Sequence, residues 1–298
     1  MKSLLGRLSD NEVLVADGAI GTMIMERGLA SGKPPESFNL EQPAVLEEIA
    51  REYLDAGAQI IQTNTFGASR LKLAQYSLEG KVDQINRNAV LAVKKVVGDR
   101  AYVSGSCGPT GKFLKPYGDV ETAEMFEVFR EQIGALISAG ADVICIETMS
   151  DLNEAACAVK AAKEFKSIPV MATMTFNRIP RGFYTIMGVT IEESLRGLEA
   201  AGADVVGSNC GNGIENMISI AREYKKFTRR PIIIQSNAGI PELKDGRVIY
   251  PETPHFIAEK AKELLTAGVG IIGGCCGTTP EHIRAIRKVV DAHQHSTV

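Results

Sequence analysis

The residues in this chain with the most distinctive chemistry are three cysteines. Cys275 and Cys276 are adjacent in GIIGGCCGTTP, and Cys210 lies in VVGSNCGNG, 65 positions before Cys275. Three thiolates suit a zinc ion, a borderline-soft cation that accepts sulfur in tetrahedral geometry. Three protein ligands leave a fourth position open, which distinguishes a catalytic zinc from a structural zinc closed by four. A thiol entering that position would lose its proton, although a free thiol stays protonated up to about pH 8.5. A disulfide between adjacent cysteines would be strained, whereas Gly273, Gly274 and Gly277 let the backbone turn both sulfurs toward one ion. The competing reading is a pair of buried thiols. Of the other cysteines, Cys145 and Cys157 fall inside apolar patterns and read as packing, and Cys107 fits either reading.

Cysteines so far apart meet only if the fold carries them to one place. Short Val- and Ile-rich runs occur at Val13–Asp17, Gln59–Asn64, Tyr102–Ser106, Val143–Glu147, Val170–Thr175, Val205–Asn209, Ile232–Ser236 and Gly270–Gly273. Bounded by Gly, Pro or Asn, they read as parallel strands buried on both faces. Helical patterns lie between them at 43–57, 83–97, 121–139, 152–165, 190–201, 213–227, 254–267 and 280–292. Pro43, Pro254 and Pro280 mark helix starts, and Gly57, Gly140, Gly202 and Gly268 mark helix ends. AGAQIIQTNT, AGADVICIET, AGADVVGSNC and AGVGIIGGCC echo one another at alternate strands. Eight βα units with this rhythm predict one α/β domain over residues 1–298, a (β/α)8 TIM barrel rather than an open doubly wound sheet.

In such a barrel the active site lies at the C-terminal ends of the strands. Asp17, Asn64, Ser106, Glu147, Thr175, Cys210, Asn237, Cys275 and Cys276 fall there. Cys210 ends strand six and the pair ends strand eight, with one strand between them, so the three can converge on one ion. Asp17, in DGAIGT, and Glu147 are carboxylates placed to hold a substrate ammonium, or else to bond neighbouring loops. GSCGPTGKF misses the phosphate-loop pattern, and no dinucleotide fingerprint follows strand one. His255 and His282 lie at helix starts without metal-pair spacing, and Lys112, Lys115, Arg178 and Arg181 read as solvated loop charges.

A net charge of −3 with no basic block gives no sign of nucleic-acid binding. No segment is long and apolar enough for a signal core or a membrane span, so a cytoplasmic location is expected. Six cysteines in 298 residues do not suggest a disulfide framework, and a chain this long needs no metal to fold.

DGAIGT at 17–22, TNTFGASRLKL at 63–73, GPTG at 108–111, ET at 147–148, NC at 209–210, NAG at 237–239, YPETP at 250–254 and GGCCGTTPEH at 273–282 follow one another in a known order. Through them the chain resembles the homocysteine S-methyltransferase family, and most of all the homocysteine-binding module of the cobalamin-dependent methionine synthases. The resemblance implies a (β/α)8 barrel with zinc on Cys210, Cys275 and Cys276. It also implies that Asp17 and Glu147 hold the homocysteine ammonium, that backbone around Ala19 receives its carboxylate, and that Asn237 stands beside the metal. GCCGTTP, rather than GCCRT, leans toward a methylcorrinoid donor, expected on a separate protein because no segment matches a folate, corrinoid or reactivation module. GFYTIMGVTIEES at 182–194 departs from the multidomain pattern and puts the donor in question. The alternatives are S-methylmethionine or betaine as donor, or a zinc-holding subunit that docks a corrinoid protein without turning over alone.

Overall fold

The computed structural model describes residues 1–166, 168–244 and 247–296. Eight parallel strands form one sheet: β1 Leu14–Val15, β2 Ile60–Gln62, β3 Tyr102–Cys107, β4 Val143–Met149, β5 Val170–Met174, β6 Val205–Asn209, β7 Ile232–Ser236 and β8 Ile271–Gly274. Neighbours along the sheet run β1-β8-β7-β6-β5-β4-β3-β2. A parallel bridge between Ala16 and Ile60 joins the two ends, with Asp17 N–H on the Ile60 carbonyl at 3.0 Å. The barrel is therefore closed, as the eightfold rhythm predicts.

The outer ring is α1 Pro43–Asp55, α2 Val82–Val97, α3 Thr122–Ala139, α4 Leu152–Lys163, α5 Ile191–Ala201, α6 Ile214–Phe227, α7 Pro254–Thr266 and α8 Pro280–Ser296. Pro43, Pro254 and Pro280 open their helices. Gly140 and Gly202 close α3 and α5 at φ +102° and +106°, where a side chain would meet the following carbonyl.

The lumen follows from strand periodicity. Leu14, Ile60, Val143, Met171, Val205, Ile233 and Ile271 pack inside the barrel, where Leu4 and Leu8 of the helix Leu4–Ser9 join them. The next inward positions, two residues on, turn polar: Ile60 gives way to Gln62, Met171 to Thr173, Ile233 to Gln235. The same rows carry Cys145 up to Glu147, Val205 to Asn209 and Ile271 to Cys275. Outward rows form the larger core against the helices. No helix among the described residues is long and apolar enough to cross a membrane.

Two antiparallel ribbons extend the loops: Asn177–Ile179 with Gly182–Tyr184 after β5, and Glu242–Lys244 with Arg247–Ile249 after β7. The first takes in the start of the 182–194 segment. The described strands Asn177–Ile179 and Glu242–Lys244 are exposed, so no core imposes an apolar alternation that a sequence pattern could reveal.

Candidate metal centre

The sulfurs of Cys210, Cys275 and Cys276 all lie within 4.8 Å of one another, and all three residues are half-buried. Cys210 Sγ and Cys276 Sγ are 3.8 Å apart. Ligands about 2.3 Å from one tetrahedral zinc stand about 3.8 Å from each other, so the spacing fits that ion. The donor set fits too, since among the described residues no His or carboxylate joins the three thiols to close a fourth position. Hydrogen bonds from Cys210 and Cys275 bring the Cys276 thiol down to about 3, and burial opposes this. Hydrogen bonds with Cys210 and Cys276, and burial after them, drive Cys275 well above its ordinary range.

Strand ends hold the three cysteines. Cys210 follows β6 at φ +59°, a left-handed conformation uncommon for a side-chain-bearing residue. Its N–H donates to the Gln235 carbonyl at 3.1 Å. Cys275 N–H donates to the Ser236 carbonyl at 2.7 Å, Ala238 N–H to the Cys276 carbonyl at 2.9 Å, and Gly274 N–H to the Asp17 carbonyl at 2.8 Å. Gly277 turns the chain at φ +77°, and a Cβ there would run into the Tyr250 ring. His282 accepts Thr279 N–H on Nδ1 at 3.1 Å and meets the Glu252 carbonyl through Nε2 at 2.9 Å, so it braces this loop. Burial lowers its pKa.

The cluster opens into a cavity of about 370 Å³, walled also by Gly18–Thr22, Glu36, Gln62, Phe66, Lys72, Tyr76, Ser106, Glu147 and Tyr250. Glu147 accepts from the Ser106 hydroxyl through Oε1 and from Asn209 Nδ2 through Oε2 at 3.2 Å. Burial pushes its pKa up to about 7.

The structure brings Glu147 to the cavity wall with the three cysteines but does not bring Asp17 there. Asp17 is fully buried beside a second, much smaller space lined by Leu46, Ile49, Tyr53 and Val93, behind Ile20, Gln62 and Asn64, which line both. Leu14 and Ala16 face the lumen, so Asp17 continues the outward row of Val13 and Val15. Its Oδ2 accepts Gln62 N–H at 2.8 Å, and its Oδ1 is buried without a partner. Burial drives its pKa up to about 8, Gln62 N–H opposes the rise, and the charge of Glu147 adds to it.

Ala19 N–H is not available to a ligand, because it donates to Thr278 Oγ1 at 3.2 Å. Ile20, Gly21 and Thr22 begin the helix Ile20–Glu26, where N–H groups have no intrahelical acceptor, and they line the cavity. Asn237 donates its N–H to the Asn212 carbonyl at 3.0 Å, and its buried Oδ1 has no partner. It does not line the cavity. Cys107, Cys145 and Cys157 are core residues, their thiols raised by burial. GPTG is no phosphate loop, since the Glu154 carboxylate takes both Thr110 N–H and the Thr110 hydroxyl.

Sequence reasoning assigned no role to Asn209, Tyr250 or Lys72. Only the Asn209 position carried a signal, as the polar end of an apolar strand beside Cys210.

Fold and site define a closed (β/α)8 barrel with a metal-competent trio of thiols in the cavity at its C-terminal mouth. Residues 14–290 match the homocysteine S-methyltransferase family, and the chain belongs to that family of methyltransferases. It is 31% identical over 306 residues to the methionine synthase of Mycobacterium leprae, covering 96% of this chain and 25% of that one. With the methionine synthase of Mycobacterium tuberculosis it shares 32% over 298 residues, 93% of this chain and 24% of the relative. The chain thus spans about a quarter of the length of these curated relatives. The metallated homocysteine methyltransferase MmuM of Escherichia coli has the same fold, with a TM-score of 0.79 at 22% identity over 94% of this chain and 97% of that one.

Proposed function

We propose that this chain transfers a methyl group to the thiol of homocysteine, giving methionine, with zinc on Cys210, Cys275 and Cys276. The observation that carries the reading is the trio of thiols within 4.8 Å, open to a cavity that a buried carboxylate also lines. Zinc there would supply the charge that takes the proton from an incoming thiol and keeps its sulfur nucleophilic. The methyl then passes to that sulfur, and the donor leaves with the electron pair of the broken bond.

The chain's own residues bind and orient the amino acid. Glu147 accepts the ammonium, which restores the carboxylate to its charged form near neutral pH. Asp17, behind Gln62, adds a second negative charge where it ionises, above about pH 8. The substrate carboxylate is received by backbone around Ala19, at the N–H groups of Ile20, Gly21 and Thr22. Asn237 offers a neutral oxygen on the β7 side of the cluster.

The donor in this reading is a methylcorrinoid carried by a separate protein. Twelve of fifteen exposed large hydrophobic side chains among the described residues, all but Met1, Leu91 and Phe227, follow the C-terminal ends of strands. Apolar surface gathered on one face is the mark of a partner surface. A second reading, with S-methylmethionine or betaine as donor, is favoured by the cavity's extension to Glu36 and Lys72, where a small charged molecule fits. The test compares methylcobalamin, S-methylmethionine and betaine as methyl sources for homocysteine. Turnover with methylcobalamin supports the first reading, and turnover with only a small donor moves it to the second. Zinc binding without turnover on any donor leaves a zinc-holding subunit.

A further inference from the structure

Asn209 is fully buried at the end of β6, between the carboxylate and the sulfurs. Its Oδ1 accepts Thr148 N–H at 2.8 Å and the Thr173 hydroxyl at 2.7 Å. Those two donors fix which end of the amide is oxygen, because an amino group there would face hydrogens. The amide nitrogen must then point the other way. It lies 2.7 Å from Thr148 Oγ1, 3.2 Å from Glu147 Oε2 and 3.8 Å from Cys275 Sγ. One rigid, planar group thus touches both the proposed acceptor of the substrate ammonium and a proposed ligand of the metal that holds the substrate sulfur.

The backbone on both sides is equally constrained. Thr148 follows Glu147 at φ +60° and Cys210 follows Asn209 at φ +59°, conformations that bulky residues rarely adopt. Thr148 donates its N–H to Asn209 Oδ1 and accepts from Asn209 Nδ2 on its hydroxyl, and the Thr175 hydroxyl donates to the Asn209 carbonyl at 2.9 Å. Two strained backbone positions, Thr148 in a bulge near the end of β4 and Cys210 just after β6, are locked to each other through a single side chain. Such strain persists only where neighbouring contacts over-determine it.

We propose that Asn209 is a positioning residue that sets the distance between the ammonium-binding carboxylate and the thiol-binding metal, and so selects the chain length of the aminothiol. The proposal rests on the functional reading above. Glu147 Oε2 and Cys275 Sγ are each held against the same nitrogen, so their separation cannot drift without breaking a contact to it. Cysteine is one methylene shorter than homocysteine, about 1.5 Å less in bond length. It cannot reach both ends of a fixed span, whereas homocysteine can. A site that discriminates by one methylene does so by about 10–200-fold.

The test is calorimetric binding of homocysteine and of cysteine to the zinc-loaded chain, in wild type, Asn209→Ser and Asn209→Asp. Wild type is expected to prefer homocysteine by at least about tenfold. Asn209→Ser removes the amide, and the preference should fall toward parity with zinc still at one per chain. Asn209→Asp keeps the size and both accepted hydrogen bonds but loses the donors to Glu147 and Cys275, so it should lose the preference too. A merely structural role predicts that Asn209→Asp keeps the wild-type ratio, and that result overturns the proposal even if Asn209→Ser fails to fold. Equal loss of both thiols in both variants overturns it as well. A wild type that binds neither thiol sinks the functional reading and the proposal together, whereas a wild type that binds both equally sinks the proposal alone.

Discussion

Replacing Asp17 with Asn separates the cost of a buried carboxylate from its use. Asp17 is fully buried, one oxygen has no partner, and burial lifts its pKa from 3.8 to about 8. At about 1.4 kcal/mol per unit, that rise corresponds to an upper figure of about 6 kcal/mol. Relaxation and water entry reduce such penalties, and about 3 kcal/mol is the expected size. The folded chain holds this proton more tightly than the unfolded chain does. Its contribution to stability is therefore full below about pH 4 and is lost as the pH rises through about 8. Asn cannot ionise, so Asp17→Asn removes that loss. It also leaves an amide nitrogen where the unpartnered oxygen was, costing about 1–3 kcal/mol at every pH. The ligand-free variant should match or fall below wild type at pH 5 and overtake it by pH 9. On the order of 2 °C per kcal/mol applies to chains of this size, so the two melting curves should cross and diverge by several degrees. Thermal melts of zinc-free protein from pH 5 to 9 read this directly. Parallel curves across that range would refute the burial argument. Above about pH 8, where Asp17 of the wild type is ionised, the same variant should bind homocysteine more weakly, because the second negative charge behind Glu147 is gone.

The loops around the cavity give two further expectations. The Tyr53 hydroxyl meets the Ala19 carbonyl at 3.0 Å and the Thr278 carbonyl at 3.2 Å, tying the DGAIGT and GCCGTTP loops together. Tyr53→Phe should cost about 1–2 kcal/mol in denaturant melts and weaken homocysteine binding, and an unchanged melt would contradict this. Gly277→Ala places a Cβ at φ +77° against the Tyr250 ring. The left-handed backbone alone costs about 1–2 kcal/mol. Zinc affinity should drop at least about tenfold while circular dichroism stays that of the intact barrel, and wild-type affinity would show that the loop does not place the cysteines.

Much of this was legible in sequence because burial writes a pattern. The strands and the eight barrel helices fall within a few residues of their expected bounds, since each buried face repeats every 2.0 or 3.6 residues. The glycines expected to end helices do so at positive φ. The three cysteines could be brought together from barrel order alone, because the topology fixes which strand ends are near neighbours. The height of Asp17 in the barrel was legible, but its face was not read. The alternation from Leu14 and Ala16 already sends Asp17 outward. At Ala19 the N–H is taken by Thr278, 259 positions away, which no local pattern shows. The Asn209 contacts also join distant segments, and the exposed ribbons after β5 and β7 bury nothing that would leave a periodic trace.

The central claim is that Cys210, Cys275 and Cys276 hold one zinc that turns a thiol into a nucleophile. The most direct measurement is zinc per chain together with methylation of homocysteine, for wild type and Cys210→Ser, with methylcobalamin as donor. The account predicts one zinc and turnover in wild type, with both lost in Cys210→Ser while the barrel stays folded. A zinc-free wild type that methylates homocysteine at full rate would contradict it.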